Sequence, residues 1–572
     1  MQMQNEKIEN ILNLALEMPE EERRRTMDLN VGYEKEDRSW TVIVRYSDSL
    51  LPYTSELVRV NELTGGYAIV QLPESLIRSF AQLPEVEYME KPRQLYSSLD
   101  RSISLSCVTP INDGGLTGMG TLVAVIDSGV DYRHPDFLNG DGTTRILRIW
   151  DQSVPGRPPE GFLYGTEYTE EEINQALQGG ADVPSRDRSG HGTAVLGIAA
   201  GNGRASGGRY RGMAPDSQIL VVKLRQPGES GFPRTPELMT ALDYAVRTAR
   251  MMGKPLAINL SFGNTYGSHE GNSLVETFID TLADQWKVSI AVGTGNEADT
   301  GGHTSGRLEK GDVRMIPLAI GENEPAMNVQ LWKSYADEFD VLLITPWGKV
   351  IGPFRRQEQP QEFEFENTRV LVYYGLPSPY SSAQEIYFEF ISNHADTGVD
   401  SGIWNFRFVP RRIVTGRYDL WLPNSQVRNR DTRFIYPTPD TTLTIPSAAS
   451  RVIAVGAYDG ENDSYAPFSG RGYTTYTNRV RPDLVAPGVD IMTTAVGGGY
   501  ARQSGTSFAT PFVTGAAALL MEWGIEQGND DYLYGEKLKA YLIRGARALP
   551  GIHNYPDPRV GYGALCVEDG LP

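Results

Sequence analysis

Four short and almost uninterrupted apolar runs dominate the pattern of this chain: Leu122-Val123-Ala124-Val125-Ile126, Ile219-Leu220-Val221-Val222, Leu256-Ala257-Ile258-Asn259-Leu260 and Val288-Ser289-Ile290-Ala291-Val292. Helical stretches separate them. Strands apolar on both faces need cover on both faces, which a parallel sheet flanked by helices supplies. The same texture returns at Arg451-Val452-Ile453-Ala454-Val455. The expectation is an α/β domain with ligand sites at the carboxyl ends of its strands.

Between residues 300 and 439 the pattern changes. Val329-Gln330-Leu331-Trp332, Val370-Leu371-Val372-Tyr373-Tyr374, Ile386-Tyr387-Phe388-Glu389-Phe390 and Trp404-Asn405-Phe406-Arg407-Phe408 are short, aromatic, alternating runs between turn residues. They predict an all-β, jelly-roll-like insertion. Residues 1–95 read as a small α+β unit, with a helix near 5–17, strands at 40–46, 67–72 and 86–89, and a second helix opened by Pro73. The expected division is therefore 1–95, 96–299, 300–439 and 440–572, with the α/β domain split by the insertion.

Composition excludes several classes. With 53 Lys+Arg against 72 Asp+Glu, the 572 residues carry a formal charge of −19, which disfavours nucleic acid as a main partner. The basic run Arg407-Phe408-Val409-Pro410-Arg411-Arg412 reads as a solvated edge. No apolar run approaches the ~20 residues that would predict membrane insertion. The N-terminal segment lacks the basic, apolar and small-residue regions of a signal peptide, so cytoplasmic synthesis is expected. Cys107 and Cys566 are the only cysteines; they rule out a disulfide framework and read as buried or partly buried thiols.

Three local motifs carry chemistry. Asp127 ends an apolar strand and precedes Ser128-Gly129. His191 lies in Ser189-Gly190-His191-Gly192-Thr193, ahead of an apolar helix. Ser507 lies in Gly505-Thr506-Ser507-Phe508-Ala509, opening another apolar helix. A serine hydroxyl needs a base to become a nucleophile, and a helix start offers unpaired N–H groups to developing negative charge. Alone, each motif also fits a turn, a loop or an N-cap. Together, in the order Asp, His, Ser and at strand-end and helix-start positions, they point to a catalytic triad.

Residues 118–137 (GMGTLVAVIDSGVDYRHPDF), 189–201 (SGHGTAVLGIAAG), 291–297 (AVGTGNE), 482–488 (PDLVAPG) and 504–520 (SGTSFATPFVTGAAALL) resemble the signature blocks of subtilisin-like serine proteases. The resemblance implies a triad of Asp127, His191 and Ser507, with Asn296 as the oxyanion-hole side chain. It implies that Ser261, Phe262 and Gly263 form one wall of the substrate cleft, and Gly293, Thr294 and Gly295 the other. The first ~95 residues would be a prodomain that inhibits and chaperones the enzyme, removed by self-cleavage around Gln94, Leu95, Tyr96 and Ser97.

The inserted β segment makes the chain most similar to the Csp germination proteases of clostridial spores. That similarity implies limited proteolysis of a protein such as a spore-cortex hydrolase precursor, and association with the spore. Two alternatives stand beside it: a general intracellular subtilisin for protein turnover, and a prodomain-locked signalling or binding protein. The chemistry requires no cofactor. Subtilases often bind calcium, and Asp136, Asn139 and Asp141 have faintly calcium-like spacing, but without the rest of the ligand series they read as a polar turn, and no metal ligand is assigned.

Overall fold

The computed structural model describes residues 6–26, 28–35, 37–93, 106–227, 232–355, 360–394 and 397–571. The apolar runs form the centre of a nine-stranded sheet. Its parallel strands lie in the order Ile453–Asp459, Val288–Gly293, Leu256–Leu260, Leu122–Asp127, Gln218–Lys223 and Ile146–Asp151. Thr166–Thr169 and Ser464–Tyr465 add antiparallel edges, and Leu484–Pro487 also pairs with Ile453–Asp459. Helices cover both faces, as continuously apolar strands require. His191–Ala200 and Thr506–Met521 pack into one core, and Thr235–Met252 and Leu274–Ala283 into the other.

The segment Thr506–Glu526 is long and apolar enough to cross a bilayer, yet 94% of its most apolar window is buried inside the protein. Its apolarity serves the core. Small residues let it sit close to its neighbours: a β-carbon at Gly515 would lie 2.3 Å from that of Met213.

Residues 303–434 contain two antiparallel sheets, of six and five strands, that enclose a shared apolar core around Trp404, Phe406 and Phe388. All four aromatic runs named above lie in these strands. The basic run is partly neutralised: Arg411 pairs with Asp340, and Arg412 with Glu338 at 3.7 Å.

The N-terminal unit is a five-stranded sheet with helices Asn10–Glu17 and Glu74–Phe80. It rests on two surfaces. Tyr67 packs edge-on against Phe278, with ring centres 5.1 Å apart, and its hydroxyl donates to Thr277 Oγ1 at 2.9 Å. On the other side its core continues into Leu371, Tyr373, Tyr387 and Ile391 of the six-stranded sheet.

One expectation is overturned. Cys107 and Cys566 are not free thiols but a disulfide, with Cα atoms 4.9 Å apart across a sequence separation of 459. Ser106 and Val567 are joined by a backbone hydrogen bond of 3.2 Å, which brings the two cysteines side by side. Without a free cysteine among the described residues, no thiol remains available as a nucleophile or ligand.

Candidate active site

Asp127 closes the central strand Leu122–Asp127, so its carboxylate emerges at the carboxyl edge of the sheet. His191 is the first residue of the helix His191–Ala200. Its Nδ1 lies 2.7 Å from Asp127 Oδ1, and both side chains are nearly inaccessible to solvent. The helix comes this close because residue 192 is glycine; a β-carbon there would lie 2.2 Å from the Gly129 carbonyl oxygen.

A carboxylate that sequence reading did not single out fixes this arrangement. Asp187 accepts hydrogen bonds from Gly190 N (2.9 Å), Thr193 N (2.9 Å), Thr193 Oγ1 (2.7 Å) and Ser128 Oγ (2.9 Å). Ser128 Oγ in turn accepts from Gly192 N at 3.0 Å. Asp187 and Ser128 thus satisfy the open N–H groups of the helix that begins with His191 and tie it to the strand that ends with Asp127. Asp187 lies four residues ahead of His191, a spacing that offers a cap; its bond to Ser128 is a tertiary contact with no local signal.

Ser507 sits in the first turn of Thr506–Met521, behind Gly505, whose φ of +137° is a conformation open mainly to glycine. Its hydroxyl donates to the Ser261 carbonyl at 3.1 Å, and the Ser261 hydroxyl donates to the Ser507 carbonyl at 3.0 Å. The serine is thereby docked on the wall segment expected from sequence. Phe262 and Phe508, the residues that follow these two serines, place their rings 5.8 and 5.3 Å from the His191 ring centre.

Asn296 is oriented by Thr506. Its Oδ1 accepts from Thr506 N and from Thr506 Oγ1, both at 3.0 Å. Thr506 Oγ1 accepts from Gly295 N at 3.1 Å. With the acceptor end of the amide engaged, the Nδ2 donor end is left for a ligand. The neighbouring Glu297 is buried, which raises its pKa above the usual carboxylate range, and it accepts from Ser425 N and Oγ in the insertion.

The two expected walls meet the same residue. β-Carbons at Gly263 and Gly295 would lie 2.3 and 2.4 Å from side-chain atoms of Thr444. Thr444 N donates to the Thr294 carbonyl at 2.9 Å, and Asn264 and Ile445 exchange two backbone hydrogen bonds of 3.0 and 2.8 Å. Gly293 faces Thr510 and Thr506 of the serine-bearing helix. Residues 441–445 therefore run beneath both walls, a feature that no spacing in the sequence marks.

Other expected residues fall elsewhere. Gln94, Leu95, Tyr96 and Ser97 lie outside the described residues. Asp136 is buried and accepts from Ala205 N and Tyr500 Oη, whereas the exposed Asp141 accepts from Thr143 in its own turn. Asn139 donates to Thr143 Oγ1 and to the Thr144 carbonyl. Among the described residues, no three His, Cys, Asp or Glu side chains are grouped to hold a metal ion.

Residues 118–337 and 432–563 match the subtilase family, and residues 6–93 match the Csp protease B prodomain. The structure of the Clostridium perfringens CspB protease is similar to this one, at 34% identity and a TM-score of 0.75, covering 81% of this chain and 95% of that one. Among curated proteins, the minor extracellular protease Vpr of Bacillus subtilis is 23% identical over 80% of this chain and 52% of its own length. A C5a peptidase of Streptococcus pyogenes is 25% identical over 76% of this chain and 37% of its own. The chain thus spans about half or less of the length of these curated relatives. A matching family block over most of the α/β domain, a matching prodomain and a structural neighbour covered almost end to end agree: the chain belongs to the subtilase family and carries a prodomain of the Csp protease B type.

Proposed function

We propose that this chain is a serine endopeptidase that cleaves peptide bonds through an acyl-enzyme, with Asp127, His191 and Ser507 as its triad. One observation carries the reading: a carboxylate bound to Nδ1 of a buried imidazole leaves Nε2 as the base, and Phe508, next to the serine at the helix start, sets its ring 5.3 Å from that imidazole. As the Ser507 hydroxyl turns from the Ser261 carbonyl to attack a substrate carbonyl, His191 Nε2 takes its proton. Asp127 holds the tautomer and stabilises the imidazolium. Negative charge develops on the carbonyl oxygen, where Asn296 Nδ2 and the Ser507 N–H donate. His191 then protonates the departing amine, and water enters by the same route in reverse to release the acid.

Ser261–Gly263 and Gly293–Gly295, seated on Thr444, are assigned as the walls that hold extended substrate. The N-terminal unit is assigned as inhibitor and folding aid, cut between Gln94 and Ser98. Limited proteolysis of a specific protein during spore germination is the favoured role, supported by the Csp-type prodomain match. General protein turnover is the competing one.

A fluorophosphonate probe tests the chemistry. Labelling of the wild-type chain that disappears in Ser507→Ala is expected; a wild-type chain that stays unlabelled after its first 95 residues are removed overturns the peptidase reading. N-terminal sequencing of purified wild type and Ser507→Ala tests the self-cleavage, and casein digestion separates broad turnover from limited cleavage.

A further inference from the structure

The β insertion meets the catalytic domain at an unusual stack. Trp421, the last residue of the strand Arg417–Trp421, is sandwiched between two imidazoles. The His269 ring lies 4.2 Å from it at 12°, and the His303 ring 4.8 Å from it at 18°. All three side chains are buried. His269 belongs to the loop that continues the Ser261–Gly263 wall, whereas His303 and Trp421 are cross-strand partners in the insertion.

Each ring is tied down at its edge. His269 Nδ1 lies 2.7 Å from the Leu443 carbonyl, and its Nε2 lies 3.1 Å from the Thr265 carbonyl. Trp421 Nε1 donates to the Thr441 carbonyl at 3.1 Å. His303 is held by the Thr438 carbonyl (3.1 Å) and by Asp419 (3.2 Å), which is itself bound by Arg417 Nε at 3.0 Å. Burial works against the charge on Asp419, but His303 and Arg417 hold it below the usual carboxylate range. Two residues in this arrangement, His269 (φ +53°) and Thr441 (φ +60°), occupy the left-handed region, which side chains of this kind enter only when their surroundings impose it.

The bonds from His269 and Trp421 end on the carbonyls of Leu443 and Thr441, in the segment that lies beneath both cleft walls. The wall loop is also bound directly to the insertion: Thr265 Oγ1 donates to the Leu422 carbonyl at 2.9 Å, and Gly267 N to Gln330 Oε1 at 3.0 Å.

We propose that His269, Trp421 and His303 are positioning residues through which the insertion sets the height and alignment of the substrate cleft. They touch neither substrate nor triad. They fix residues 441–445, and Thr444 fixes Gly263 and Gly295. The inference rests on the peptidase reading above. Reactions of this kind are sensitive to misplacement of about 1 Å, so loss of the stack reaches the active site without altering any reacting group.

The test uses the full-length chain and a peptide of its own residues 90–101, with active sites counted by fluorophosphonate titration. Trp421→Leu is expected to lower kcat/KM per labelled site by about tenfold or more, mainly through KM, while Trp421→Phe keeps a flat ring and stays within about threefold of wild type. Amide hydrogen exchange at residues 441–445 is expected to speed up in the Leu variant alone. His303→Leu removes one face of the stack and carries the test where Trp421→Leu does not fold. Variants whose labelled fraction cleaves like wild type, with unchanged exchange at 441–445, overturn the proposal even if they melt at lower temperature. A wild-type chain that neither labels nor cleaves after its first 95 residues are removed overturns the peptidase reading, and this inference with it.

Discussion

The Nδ1 atom of His191 lies 2.7 Å from Oδ1 of Asp127, and the backbone on either side of the histidine is held by a second carboxylate, Asp187, which accepts from Gly190 N and Thr193 N. One aspartate orients the ring and the other orients the helix that carries it. They separate experimentally, because the first is bonded to the imidazole and the second to the backbone around it.

Asp127→Asn keeps the shape of the pair but presents a donor in place of an acceptor and favours the wrong tautomer. Turnover of a peptide substrate is expected to fall on the order of 10⁴-fold with little change in melting temperature. Steady-state kinetics checks this, and a loss below about tenfold would argue against Asp127 as the triad acid.

Thr506→Val removes one of the two donors on Asn296 Oδ1 and leaves the Thr506 backbone N–H alone to orient the amide. The expected loss in kcat is about tenfold, smaller than the 10²–10³-fold expected for Asn296→Ala, with KM nearly unchanged in both. Equal losses in the two variants would mean that Thr506 does more than orient the amide.

Glu385 is buried where the N-terminal unit meets the insertion, and burial pushes its pKa up to about 8, with Glu9 and Asp28 adding to the rise and Arg93 opposing it. Burial likewise raises Glu90 and Glu276 to about 7. Lys91, paired with Asp28 at 3.3 Å, and the ion pair of Arg369 with Glu22 at 3.1 Å also lie at this junction. A carboxyl that holds its proton more tightly folded than unfolded loses stability as pH rises from its ordinary value to its folded one. Here that window runs from 4.5 to about 7 or 8, and Glu276 alone contributes a loss of about 3 kcal/mol. Glu385→Gln should therefore raise the melting temperature at about pH 8.5 and leave it nearly unchanged at about pH 5. Calorimetry at the two values decides it; an equal gain at both would point to packing rather than titration.

Cys566→Ser removes the disulfide that cross-links the two ends of the catalytic domain. Stability is expected to fall by about 2–5 kcal/mol, and wild type treated with a reductant should match the variant. Thiol titration of the denatured, unreduced wild type should find no free sulfhydryl. Two reactive thiols would contradict the pairing.

The residues proposed as a triad stand out in the sequence because each is announced locally, Asp127 by the apolar strand it ends and His191 and Ser507 by glycine-flanked helix starts. The sheet was legible for a related reason, since a strand buried on both faces has few polar residues to obscure it. Pairings between distant segments were not. Cys107 and Cys566 are 459 residues apart and carry no local signal of each other. Thr444 reads as an ordinary loop residue until the fold sets it against Gly263 and Gly295. His269 and His303 fit no metal-ligand spacing, and their common partner is an indole more than a hundred residues further on.

The disulfide also changes what a cut in this chain accomplishes. Residues 107–566 form a single covalent ring, so a break at any one peptide bond within it opens the ring but yields no separate pieces. The bonds from Gln94 to Ser98 lie outside that ring. A break there does split the molecule in two, which makes it the natural place for a chain of this topology to part with its first ninety-odd residues and remain otherwise whole.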